Sequence, residues 1–124
     1  AQGWAQNDAG QHLYYKEGKA LTGTHTIDGV KYFFNTDGTL KTGWVKDGDN
    51  WRFYSGKTML VGFWDLGANG NNKTYYFTKD GLMVSGKWLE IDGKWYYFYT
   101  DGSLARSTKI DSYEVDEKGV RKTK

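Results

Sequence analysis

One motif recurs along this chain every 20 residues or so. It consists of a glycine, a short polar stretch often opened by an aromatic, a turn of the Asp-Gly type, a run of aromatics, then a second turn and a small apolar residue. The clearest copy runs from Gly86 to Ser107, GKWLEIDGKWYYFYTDGSLARS, and relatives begin at Gly3, Gly23, Gly43 and Gly62. A unit this short cannot bury its apolar surface alone. It has to stack on its neighbours, so the period constrains the fold before any site is considered.

Aligned on the second turn glycine, the copies span 3–22, 23–42, 43–61, 62–85 and 86–107, and a ring-poor tail occupies 108–124. Asp28-Gly29, Asp47-Gly48 and Asp92-Gly93 each lie between two extended stretches, and this dipeptide suits the positive-φ positions of a tight hairpin turn. Each copy is therefore expected to be a β-hairpin. Its second strand is the aromatic one: His12 to Tyr15, Lys31 to Phe34, Trp51 to Tyr54, Thr74 to Phe77 and Trp95 to Phe98. Turns at Asp37-Gly38, Asp80-Gly81 and Asp101-Gly102 end these strands, and Leu40, Met83 and Leu104 follow at a fixed offset. The fourth copy carries an insertion, Gly67 to Asn72, whose glycine and asparagine content predicts a mobile surface loop. A lone hairpin is marginal in water, so the expected fold class is an all-β hairpin solenoid closed by a degenerate capping hairpin at 108–124.

Composition fits a core made of rings. The chain holds six Trp, ten Tyr and six Phe in 124 residues, with no Cys and no Pro, and seventeen Gly serve its turns. The absence of cysteine removes disulfides and thiolate metal sites. A net charge of +2, interspersed along the chain, gives no basic patch of the kind that binds nucleic acid. No apolar run is long enough to cross a bilayer, and the start lacks the charged and apolar regions of a signal peptide. The expectation is a mature secreted product or an excised piece of one.

Side chains alternate across a strand, so Trp95 and Tyr97 face one way while Tyr96 and Phe98 face the other. Only one of these faces can line the core. Rings recurring once per copy on the other face would form a row of shallow recesses between neighbouring hairpins. Two ligand types suit such recesses: sugar rings stacked on aromatic faces, and quaternary ammonium groups caged by cation–π attraction.

The stretches Gly43-Trp44-Val45-Lys46-Asp47-Gly48-Asp49-Asn50-Trp51 and Gly93 to Phe98, continued through Asp101-Gly102-Ser103-Leu104, resemble the cell-wall-binding repeats of choline-binding proteins. Streptococcal surface proteins, autolysins and phage lysins carry such modules. The resemblance covers nearly the whole chain and implies that choline is held between successive hairpins. Two aromatics would come from one copy and a tyrosine from the next. Carried over by position, it implies Trp44, Trp51 and Tyr75 (or Tyr76, on the other strand face) as one site, and Trp88, Trp95 and Tyr113 as another. Trp88 lies one position later than the Gly-Trp spacing expects. Poorer sites are implied at Trp4 with Tyr32, where His12 replaces a tryptophan, and at Phe63 or Trp64 with Tyr96, where Thr74 does. Met83 is a further minor contact. No site is implied where the positions hold Thr24, Lys31 and Arg52.

The resemblance also implies a partner and a location: choline or phosphocholine on teichoic or lipoteichoic acid, at the surface of a bacterial cell wall. A parent protein with a peptidoglycan hydrolase domain fits that setting. Glucan or host-glycan binding, as in related repeat families, is the alternative, and a structural spacer with dead sites is a third. No nucleophile motif or metal-ligand spacing occurs, and no cofactor is implied. Asp28, Asp37, Asp47, Asp80, Asp92 and Asp101 sit where turns explain them, and Asp47-Gly48-Asp49-Asn50 lacks the distal glutamate of a calcium loop. The expected role is a non-catalytic binding module.

Overall fold

The computed structural model describes residues 3–66 and 73–122. The insertion Gly67 to Asn72 lies outside the described residues. The chain divides into two compact units, Ala1–Leu60 and Val61–Lys124, and each is described by itself.

Every regular element among the described residues is a strand, and every pairing is antiparallel. In the first unit, β1 (Gly3–Gln6), β2 (His12–Lys16) and β3 (Lys19–Ala20) form one sheet. The hairpin of β4 (Gly23–Ile27) and β5 (Val30–Phe34) follows, then a sheet of β6 (Gly43–Asp47), β7 (Asn50–Ser55) and β8 (Thr58–Met59). The second unit holds β9 (Gly62–Asp65) with β10 (Thr74–Phe77), β11 (Lys87–Ile91) with β12 (Lys94–Phe98), and β13 (Thr108–Ile110) with β14 (Tyr113–Val115). The fold class is the all-β hairpin solenoid expected from the period.

Turn chemistry accounts for two of the three expected Asp-Gly hairpins. Asp28-Gly29 and Asp92-Gly93 both carry positive φ on both residues, 52° and 81° in the first and 52° and 82° in the second, as a two-residue turn between twisted strands requires. The third differs. Asp47 pairs with Asn50, so the turn is Gly48-Asp49 with φ of 64° at Gly48, and Asp47 is a strand residue. The Asp47 carboxylate is bound by Lys31 of the preceding hairpin and by Arg52 of its own.

The second turns stack one copy on another. Leu40, Met83, Leu104 and Arg121, each two residues after a turn glycine, bridge to Phe34, Phe77, Phe98 and Val115. A Cβ added to Gly38 would lie 2.9 Å from Ala20, one on Gly102 would lie 2.3 Å from Met83 Sδ, and one on Gly119 would lie 2.7 Å from Leu104. The glycine of each of these three turns thus rests on the apolar residue of the preceding copy. Gly102 also has φ +89°. Gly102→Ala is therefore expected to cost about 2–4 kcal/mol, from left-handed strain plus overpacking against Met83. Denaturant unfolding at neutral pH measures this.

From the second copy to the fifth, the inward ring of the second strand lies at or next to its end. Phe34, Tyr54, Phe77 and Phe98 are all nearly inaccessible, and Val115 takes the same place in the last hairpin. The first unit builds its core on Ile27, Tyr32, Phe33, Phe34, Leu40, Val45 and Tyr54. Val84, Phe98 and Leu104 anchor a core in the second unit, with Tyr76, Leu89, Ile91 and Tyr96 packed on it. Tyrosine hydroxyls tie hairpins together: Tyr32 donates to the Lys57 carbonyl at 2.9 Å, and Tyr54 donates to the Lys31 carbonyl. Burial raises the pKa of both hydroxyls.

Candidate functional site

Strand register decides which rings meet. Trp44 pairs with Phe53, and Trp88 pairs with Tyr97, so Trp51 and Trp95 each stand two residues before the partner of the first tryptophan. The extra residue before Trp88 is absorbed outside the pairing, and Trp88 holds the place of Trp44. By the same register Trp4, opposite Tyr14, and Thr24, opposite Phe33, hold that place in their hairpins. In the fourth copy the place belongs to Phe63, which pairs with Tyr76. Trp64, expected there as an alternative, pairs with Tyr75 and faces the other side of β9, its indole N–H donating to the Val61 carbonyl at 2.7 Å. A shift of one residue exchanges the two faces of a strand.

The closing ring is also defined by register. Tyr32, Tyr75, Tyr96 and Tyr113 each lie two residues before the buried end of their strand. Within the units this position meets the first ring of the preceding hairpin. Tyr32 lies 5.0 Å from Trp4, Tyr96 lies 5.1 Å from Phe63, and Tyr113 lies 5.9 Å from Trp88. Tyr75 holds this position in the second unit. Tyr76 packs instead on Phe63 of its own hairpin, at 4.8 Å.

The sites differ in what fills them. Trp44 and Trp51 are exposed, 39% and 37%, with centroids 6.4 Å apart and planes at 88°. Phe53 backs Trp44 edge-on at 5.1 Å, and the Lys46 ammonium lies 5.8 Å from the Trp51 ring. At the last hairpin Trp88, Trp95 and Tyr113 surround one group: the Arg121 guanidinium, 5.4, 5.3 and 4.3 Å from their centroids. Trp88 is oriented by its indole N–H, 3.4 Å from Asp111 Oδ2. Trp4 forms an edge-on pair with His12 at 6.3 Å, and Lys57 lies 5.3 Å over its ring, in a shallow recess of about 160 Å³ that Ala5 and Gln6 complete.

In the fourth copy the strand-tryptophan position has been converted to packing. Thr74 is buried, and its hydroxyl donates to Asp65. Phe63 beside it lies within 6.5 Å of Phe98 as well as meeting Tyr76 and Tyr96. Where Thr24, Lys31 and Arg52 stand, charge replaces rings: Asp47 Oδ2 accepts from Lys31 Nζ and Arg52 Nε, both at 2.9 Å. Arg52, 9% exposed, holds the closing-ring place of this hairpin. Met83 packs under Gly102 and serves the stack.

The Asp47 cluster makes a testable structural element. The hydrogen bond from Lys31 foremost, and then that from Arg52, holds the Asp47 carboxyl below its ordinary pKa. A depressed carboxyl stabilises the fold above its unfolded pKa of about 4, and this contribution is lost as pH falls through the folded value. Asp47→Asn is expected to cost about 1–3 kcal/mol at pH 7. In paired urea titrations the gap between wild type and variant should close in acid.

The turn carboxylates do turn work. Asp37 accepts from the Thr39 amide and hydroxyl at 2.9 and 2.6 Å, and Asp101 accepts from those of Ser103 at 2.8 and 2.6 Å. Those side-chain hydrogen bonds are the main reason both carboxyls sit below the usual range. A larger recess, about 630 Å³, lies on the last hairpin among Ser107, Thr108, Lys109, Glu114, Val115, Asp116, Glu117 and Lys122. Its lining contains none of the rings and mixes both charge signs, so it offers neither stacking nor a cation cage.

Arg121 and Lys57 escaped the sequence reading. The signal for Arg121 was present: Leu40, Met83 and Leu104 each follow a turn glycine by two, and Gly119 is followed at that offset by Arg121.

Hairpins that repeat the same ring positions from copy to copy define a class, the repeat-built binding module. The family model described as choline-binding repeat matches residues 21–62 and 68–108, more than half of the chain, and the chain belongs to that family. Glucosyltransferase-I of Streptococcus downei is 32% identical over 102 residues, 82% of this chain and 5% of that protein. Choline-binding protein F of Streptococcus pneumoniae has a solved structure that is 31% identical, with a TM-score of 0.55 over 99% of this chain and 48% of that one. The modular autolysin LytC of Streptococcus pneumoniae shares the fold at a TM-score of 0.79 and 21% identity, over 98% of this chain and 28% of its own. The chain thus spans a small part of the curated relative and about half of choline-binding protein F.

Proposed function

We propose that this chain is a non-catalytic cell-wall-binding module that recognises choline, as carried by phosphocholine on teichoic or lipoteichoic acid, and holds a longer secreted protein at the bacterial surface. The observation that supports this most is the perpendicular, exposed pair Trp44 and Trp51. A corner of two ring faces suits a compact, rounded cation, which is attracted to both faces at once. A pyranose ring gains most from one flat platform. Family membership points the same way.

Each ring contributes roughly 0.5–2 kcal/mol to a quaternary ammonium, so a two-ring corner holds one choline at millimolar strength or weaker. A wall polymer presents many cholines, and a module with several sites, or a parent with several modules, gains affinity from multivalency. Retention on a tertiary-amine resin tests the reading. The chain carries a net charge of +2, so a cationic resin should not hold it by ordinary ion exchange. Retention with elution by free choline supports the reading; flow-through in low salt contradicts it.

Glucan binding is a second reading, favoured by the likeness to glucosyltransferase-I. Elution or a fluorescence response with glucose oligomers, and none with choline, would establish it instead.

A further inference from the structure

We infer that Arg121 determines the specificity of the last aromatic cage: its guanidinium is an internal cation that occupies the place of a quaternary ammonium between Trp88, Trp95 and Tyr113, so that this cage refuses choline. The inference rests on the choline reading for its choice of probe, and its test is separable from that reading.

Three observations carry it. The guanidinium carbon lies 4.3 to 5.4 Å from all three ring centroids, so one charge takes up every face of the cage. Among the described residues Arg121 makes no ion pair, so the rings and not a carboxylate hold its head group. Its backbone is fixed to the cage floor, the amide donating to the Trp95 carbonyl at 2.9 Å beside a bridge to Val115.

The same backbone bond occurs where the donor residue is not a cation. The Leu40 amide donates to the His12 carbonyl and the Leu104 amide to the Thr74 carbonyl, each at 2.8 Å. In those two copies the carbonyl belongs to a residue that replaced the strand tryptophan, and the donor is leucine. In the last copy the tryptophan is kept and the donor is arginine. Position 121 therefore selects between an apolar lid and a cation without changing the fold around it.

Competition favours the internal group. A tethered cation acts at an effective concentration of at least about millimolar, comparable to the affinity three rings provide for free choline, and here its backbone is already positioned. An incoming ammonium would also meet a like charge at close range. Among the described residues, Lys57 is placed over Trp4 and Lys46 over Trp51, one ring each, whereas Arg121 is placed over three.

The test is a choline titration followed through the indole N–H resonances of the ¹⁵N-labelled chain, for wild type, Arg121→Leu and Arg121→Lys. Arg121→Leu should gain a saturable response at Trp88 and Trp95 with an apparent affinity at least tenfold above wild type. Arg121→Lys, which keeps a cation, should gain little. Equal responses at Trp88 and Trp95 in wild type and Arg121→Leu would overturn the inference. So would a leucine variant silent at those indoles while Trp44 and Trp51 respond, a result that leaves the proposed function standing. If wild type is silent at Trp44 and Trp51 but the leucine variant gains its site, the inference holds and the proposed function fails. Should Arg121→Leu not fold, the wild type alone decides: side-chain protons of Arg121 shifted upfield by the rings and unmoved by choline support the inference, and random-coil shifts contradict it.

Discussion

Trp51→Ala is expected to weaken choline binding by roughly two- to thirtyfold and to change stability little. Trp51 is 37% exposed, and its ring meets Trp44 edge-on at 6.4 Å, so its removal leaves no buried cavity. The loss of one cation–π face is worth about 0.5–2 kcal/mol, which takes a millimolar site to between a few and some tens of millimolar. A control separates site from scaffold. Trp4→Ala removes a ring packed on the first core, on Tyr14 at 5.1 Å and Tyr32 at 5.0 Å, and should lower stability while leaving choline binding in place. Fluorescence or indole titration against thermal melts of the two variants measures both effects, and the two should be reversed between them.

The largest effect on stability is expected from Phe98→Ala, about 3–5 kcal/mol. Phe98 is fully buried, clusters with Val84 and Leu104, and lies 6.3 Å from Tyr76 and 6.5 Å from Phe63. It also carries the bridge to Leu104, through which the next turn is set over Met83. Removing the ring opens a cavity beneath several partners that are held by the backbone and cannot collapse into it. Urea unfolding of the variant should show a lower midpoint. A loss below 1 kcal/mol would mean that the second unit does not depend on this ring.

Much of this was legible in the residues because the determinants are local. The period, the hairpin turns at Asp28-Gly29 and Asp92-Gly93, and the alternation that buries Phe98 and exposes Trp95 all follow from a few neighbouring residues. The two tryptophan pairs came from the resemblance to choline-binding repeats. What escaped depends on partners distant in sequence. Asp47-Gly48 looked like a turn, yet Asp47 pairs with Asn50 in the strands, and its carboxylate meets Lys31, sixteen residues earlier. Phe63 and Trp64 are neighbours, and only the pairing of β9 with β10 shows which one faces Tyr96. Arg121 looked like one more polar residue of an end cap. Its meaning lies in three rings between 8 and 33 positions earlier in the chain.

The most direct measurement of the central claim is a titration of the wild-type chain with choline and, separately, with glucose oligomers, read at the indole N–H of each tryptophan. Saturable, millimolar shifts are expected at Trp44 and Trp51 with choline, and no comparable response to the oligomers. Shifts with the oligomers alone, or no shift at Trp44 and Trp51 with choline, would contradict it.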